Sequence, residues 1–253
     1  MFRHPRDSSP LPEASGLARI LLPFRVFAWG PLAMSYLGVP IVVGLYTIVV
    51  SDADYKASIQ KLLDYGFKRT APNRAPAAEV LADFPDPESV VREINAEYIR
   101  LDNSTATFQY PDHYTDRAQP LNLLPNSFAH LPEPIIGDLE SGQYNVYNNL
   151  FYPLEGALME SFVRVVLDDE VEGPITQWGD TVGSWIAMMC GYLEVDNDIL
   201  DGCSEKNART WFSINFGRER EAQSGPMDRR ISKRLGSGKE MTIDMRGKPL
   251  GPE

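Results

Sequence analysis

Between Arg25 and Asp52 the chain carries no charged side chain, and the run Val26 to Val50 is long enough on length alone to cross a bilayer. Its punctuation argues for separate packed elements. Gly30-Pro31, Gly38 and Pro40 interrupt the run. Inside one continuous helix Pro40 would remove a backbone donor and clash with the preceding turn. Leu32, Ala33, Met34, Tyr36 and Leu37 form a buried-helix set. Pro31 can open it, because the N–H that proline lacks has no partner in a first turn anyway. Ile41, Val42, Val43, Thr47, Ile48, Val49 and Val50 are β-branched, stiff at χ1, and predict a strand. A single-pass membrane protein anchored by residues 26–50, with Arg19 and Arg25 on the cytoplasmic side, is the competing reading.

The pattern on either side is that of a mixed domain. Met1 to Ser15 is polar and rich in proline and reads as a flexible tail, and Gly16 to Phe24 as a short helix stopped near Pro23. After the apolar run, Ser51 and Asp54 stand at the spacing of a carboxylate capping box. The helix they open carries Tyr55, Ile59, Leu62 and Leu63 on one stripe and ends at Gly66. Phe67 to Thr70 predicts a short strand, and Ala77 to Phe84 and Pro87 to Ala96 predict helices. Tyr98 to Leu101, Thr105 to Tyr110 and Leu121 to Leu124 have strand composition, the first two separated by a turn at Asp102-Asn103-Ser104. From Leu154 the period becomes helical. Leu154, Ala157, Leu158, Phe162, Val165 and Val166 share a face, Asp180 is placed to cap a second helix, and Ser204 a third. The fold class is therefore α+β, a small mixed sheet followed by a C-terminal helical region. The expected organisation is a tail over 1–15, one domain over 16–216 and a disordered charged tail over 217–253.

Composition narrows the partners. A net charge of −11 opposes non-specific nucleic-acid binding, which depends on Lys and Arg neutralising phosphates. Cys190 and Cys203 lack metal-ligand spacing and suit a reducing compartment. With no secretory signal in the polar N-terminus, an intracellular, cytoplasmic location is expected, with a nuclear one open through the basic cluster Arg229-Arg230-Ile231-Ser232-Lys233-Arg234.

One stretch resembles a known family. Phe27-Ala28-Trp29-Gly30-Pro31-Leu32-Ala33-Met34-Ser35-Tyr36-Leu37-Gly38, the strand Leu45 to Val50, and a capped helix ending Leu62-Leu63-Asp64-Tyr65-Gly66-Phe67 are similar to the core of the nucleotidyltransferase-fold superfamily. The nearest likeness is to the nucleotidyltransferase-like proteins common in fungi and to the toxin-type branch. The resemblance covers Val26 to Thr70, with a weaker echo at Leu123-Leu124-Pro125-Asn126-Ser127-Phe128. It implies a strand leading to a glycine pair that opens a helix. A second strand then carries two carboxylates, one position apart, that hold Mg²⁺ against nucleotide phosphates. Here the glycine pair reads Gly30-Pro31, and Leu45 and Thr47 occupy the carboxylate positions. The resemblance thus implies a degenerate member, a pseudoenzyme with no cofactor, that binds a small molecule or a protein partner or serves as a scaffold. The rival is an active nucleotidyl- or phosphotransferase with relocated carboxylates drawn from Asp52, Asp54 or Asp102.

Other candidates have plain structural readings. Asp52 and Asp54 read as helix-capping residues. Glu194, Asp196, Asp198 and Asp201 lack the glycine and terminal glutamate of an EF-hand loop. Asp168-Asp169-Glu170 reads as loop charge at a helix end. His4, His113 and His130 are scattered, and Asp112-His113 reads as a turn. Gly236-Ser237-Gly238-Lys239 lacks the upstream glycine of a phosphate loop. Trp178, Trp185, Trp211 and the aromatics of Tyr144 to Tyr152 read as packing residues, some of them available to line a pocket.

Overall fold

Gly30 decides how the apolar run folds. Its backbone sits at φ 59°, ψ −141°, a region open essentially to glycine alone. The chain uses it to leave a strand and enter a helix within one residue. In this computed structural model, which describes residues 5–72, 74–112, 120–134, 142–172, 175–193 and 195–225, the run becomes a strand, a short helix, an irregular crossing and a second strand.

In chain order the described elements begin with α1 (Pro12–Ile20), β1 (Val26–Trp29), α2 (Pro31–Tyr36), β2 (Tyr46–Val50), α3 (Asp52–Asp64) and β3 (Lys68–Arg69). A helical excursion follows, α4 (Ala78–Leu81), α5 (Pro87–Ala96) and α6 (Ile99–Ser104). The sheet is then completed by β4 (Ala106–Gln109), β5 (Leu121–Pro125), a helical turn α7 (Asn126–Ala129), β6 (Tyr144–Tyr147) and β7 (Leu150–Pro153). The C-terminal layer is α8 (Glu155–Glu172), α9 (Gln177–Tyr192), α10 (Lys206–Asn215) and α11 (Arg218–Ser224).

The strands form one seven-stranded sheet in the order β3-β4-β5-β2-β1-β7-β6. It is mixed: β2 with β5 and β1 with β7 are parallel, and the other neighbours antiparallel. All four residues of β1 are buried, as is β2 from Thr47 onward, which fits central strands covered on both faces. The architecture is α+β, as the pattern predicts. No helix among the described residues is long and apolar enough to cross a membrane. The continuous-helix reading of 26–50 is corrected, since the helix within it spans only Pro31–Tyr36.

Ser51 caps α3 as expected. Its Oγ accepts from the Asp54 amide at 3.2 Å and donates to Asp54 Oδ2 at 2.7 Å. Gly66 follows the helix at φ 104°, the left-handed end that glycine tolerates.

Elsewhere the structure corrects the pattern. The strand expected over 41–50 starts only at Tyr46, because β1 ends at Trp29, paired with Thr47, and among the described residues no strand pairs with 41–45; Val42 stands 83 % exposed. Tyr98 to Leu101 does not form a strand. Ile99–Ser104 is helical, and Thr105 stops it by donating its hydroxyl to the Leu101 carbonyl at 2.8 Å. The α9 cap is Thr176, whose Oγ1 accepts from the Gly179 amide, with Asp180 one turn inside; the α10 cap is Glu205 in place of Ser204. Helix α1 opens at Pro12, inside the expected tail, and buries Ala14 completely.

Residues 218–224 are also helical. Arg218 reaches Asp198 and Asp201 at 3.1 and 3.0 Å, and Asn197 donates to Glu221 at 2.6 Å. Residues 226–253, with the basic cluster and Gly236 to Lys239, lie outside the described residues, as do His4, His113 and Glu194.

Candidate functional site

A cleft of about 510 Å³ opens beside the centre of the sheet, within the volume range of small-molecule sites. The sheet register builds its floor. Trp29 on β1 pairs with Thr47 on β2, Thr47 with Asn122 on β5, and Asn122 with Thr107 on β4. Directly paired residues share a face of a sheet, so these four form one row across four strands. Trp29, Thr47 and Asn122 line the cleft. Thr107 holds Asn122 in place, donating to its Oδ1 at 2.8 Å.

The second wall is aromatic and comes from α9. Trp178 and Trp185 line the cleft and meet Trp29 with ring centroids 6.1 and 5.7 Å away. Trp29 is fixed in turn by its indole, which donates to Ser161 Oγ on α8 at 2.7 Å, and by an edge-on contact with Phe162. Gly30 belongs to this packing, because a Cβ there would lie 3.3 Å from the Trp185 ring. Thr181 also reaches the cleft, but its hydroxyl is committed to the Gln177 carbonyl at 2.8 Å.

The third wall comes from the helical excursion through Pro72, Arg74, Tyr98 and Leu101. The Arg74 guanidinium lies over the Tyr98 ring at 4.2 Å and makes a two-pronged pair with Asp102 at 2.6 and 2.5 Å. A fork of this kind engages both carboxylate oxygens. Among the described residues Arg74 is the one charged residue in the lining, and Asp102 pairs with it.

Pro31, Leu45 and Thr47, three of the four family-motif positions, all border this cleft, and Gly30 lies just behind Trp185. The relocated carboxylates do not come together there. Asp52 lies at the other end of β2, where it accepts from the Ser127 amide at 2.9 Å and from the Ser127 hydroxyl. Asp54 is held by Ser51, and Asp102 by Arg74. No group of three or more metal-binding side chains occurs among the described residues.

The remaining candidates have structural partners. Asp168-Asp169-Glu170 lies within α8, contrary to the loop expectation. Asp169 is only 3 % exposed and binds the Thr176 amide and hydroxyl. Asp168 meets Arg100 and His130, and Glu170 accepts from the Trp211 indole. Burial pushes the Cys203 thiol up, away from the thiolate form a nucleophile needs. Cys190 is buried and forms no disulfide among the described residues.

Sequence reading missed the cleft's polar floor. A lone asparagine inside the apolar strand Leu121-Asn122-Leu123-Leu124 is the signal that could have found it, since a buried amide requires partners. Arg74 and Tyr98 carry no comparable local signal. No family model matches the chain, and no curated protein or solved structure matches it.

Proposed function

We propose that this protein is a non-catalytic binding protein of nucleotidyltransferase-like type, whose central cleft takes a small molecule without a metal ion. One observation carries the reading. Leu45 and Thr47, the positions where the resemblance expects paired carboxylates, border the cleft, and no Asp or Glu is among the described residues that line it. Mg²⁺ requires hard oxygen ligands, normally carboxylates shared with the substrate phosphates. A threonine hydroxyl beside a leucine supplies neither the charge nor the ligand number. Pro31 supports the same reading, because it takes one amide donor from the helix start where a phosphate would dock. Cys190 and Cys203, which form no disulfide among the described residues, suit a reducing compartment such as the cytoplasm.

The test is calorimetric titration of the full chain with ATP, with and without Mg²⁺. No metal-dependent heat is expected. Micromolar ATP affinity that requires the metal would overturn the proposal, as would a transferase activity abolished by Asp52→Asn and Asp54→Asn.

A further inference from the structure

The cleft's unused hydrogen-bonding groups point to the kind of molecule it accepts. Thr47 and Asn122 are each 95 % buried and line the floor. Thr107 occupies Asn122 Oδ1, and among the described residues neither the Asn122 Nδ2 amino group nor the Thr47 hydroxyl has a partner. Buried polar side chains normally find partners, and here the floor offers the cleft a donor on Asn122 Nδ2 and a hydroxyl on Thr47 that can donate beside it. The indole nitrogen of Trp178, another lining residue, is buried with no partner among the described residues.

Beside these groups the lining is apolar and aromatic: Trp185 and Tyr98, with Leu45 and Pro31, and with Trp29 fully buried behind Trp185. Aromatic walls favour a planar ring, which gains dispersion and quadrupole contacts. Charge is disfavoured. Arg74 is already paired with Asp102 and stacked on Tyr98, so among the described lining residues an anion finds no uncommitted cation. A cation would face the donor hydrogens of the floor.

We infer that the cleft binds a small, uncharged, planar aromatic molecule whose ring carries a hydrogen-bond acceptor, received by Asn122 Nδ2 and Thr47 Oγ1 beside the Trp185 and Tyr98 rings. The inference rests on the binding reading above and gives it a ligand class.

Coumarin, neutral and planar with a ring carbonyl, is the probe, and naphthalene, of similar shape without the acceptor, is the control. Titration of the full chain, followed by tryptophan fluorescence and calorimetry, should show coumarin binding about tenfold more tightly than naphthalene. Thr47→Val, which keeps the shape of the side chain, and Asn122→Leu should each reduce the coumarin preference several-fold and leave naphthalene affinity unchanged. The wild-type ratio needs no variant, so it stands even if Asn122→Leu unfolds the chain. Equal affinity for the two probes, an undiminished coumarin preference in Thr47→Val, or tighter binding of tetramethylammonium than of coumarin would overturn the inference. Metal-dependent ATP binding would instead overturn the non-catalytic reading on which it stands, so the two failures are distinguishable.

Discussion

The two sides of the cleft are built on different principles. On the sheet side, Trp29, Ile48 and Leu123 are fully buried, and the aromatic ring contacts among Trp29, Phe162, Trp178 and Trp185 lock β1 to α8 and α9. On the excursion side, α4 and α5 bury no residue completely, and Val80, Phe84 and Ile99 remain exposed. That side is held by a few polar ties. Arg100 reaches Asp168 at 2.6 Å and the Val165 carbonyl at 3.2 Å, Glu97 accepts from the Gln177 amide at 3.0 Å, and the Tyr55 hydroxyl donates to the Ser104 carbonyl at 3.1 Å. Close packing resists deformation, whereas a surface segment with few buried apolar contacts opens at a small free-energy cost. The cleft thus has a fixed floor and a yielding rim.

That contrast orders the expected effects of substitution. Trp29→Ala should be the most damaging, about 3–5 kcal/mol of stability read from the urea midpoint, because it removes the ring on which α8 and α9 rest. Phe84→Ala on the other side should cost a small fraction of that, and an equal loss at the two sites would erase the distinction. Gly30→Ala should cost about 1–3 kcal/mol, since alanine is strained at that φ and its methyl group meets Trp185. Removing the α3 cap with Ser51→Ala should cost about 1 kcal/mol by the same measurement.

Asp102→Asn should change global stability by no more than about 1 kcal/mol. Amide exchange across α4–α6 should nevertheless accelerate while β1 and β2 stay protected. Unchanged exchange in α4–α6 would show that the Arg74 fork is not what holds the rim.

At neutral pH the smallest effect of all is that of the tyrosines. Burial raises Tyr36, Tyr46, Tyr55, Tyr144 and Tyr152, with Tyr36 pushed up to about 12. Raised groups hold their protons more tightly when folded, so their contribution is complete below the unfolded value near 10 and is lost as pH climbs through the folded one. Unfolding free energy should therefore be flat from pH 7 to 9 and fall above about 10. Tyr36→Phe should make the decline shallower.

Much of the centre could be read from residue types. Proline and glycine at Gly30-Pro31 and Pro40 divide an apolar run that hydropathy alone would join, and Ser51 with Asp54 marks where α3 begins. The edges were harder. Both strands of the β6–β7 hairpin went unseen, because β7 is buried at every position and shows no alternation. Asn148-Asn149 between two aromatic runs was the available clue, and Asn148 does adopt φ 58°. Tyr98 to Leu101 has the composition of a strand, yet Ile99–Ser104 folds as a helix, tied to distant parts of the chain by Arg74 over Tyr98, by Tyr55 on Ser104 and by Arg100 on Asp168. The cleft was legible only in part. Pro31, Leu45 and Thr47 were already marked, whereas Arg74, Tyr98 and Asn122 become neighbours through tertiary contacts that no local window contains.

The strand order also governs how the chain must be made. β1 sits between β2, which follows it directly, and β7, which is synthesised far later. Until Leu150–Pro153 has left the ribosome, one edge of an entirely apolar strand stays open to any other extended chain. Fragments cut before Leu150 should accordingly precipitate, and the sheet becomes self-sufficient only once its last two strands have been translated.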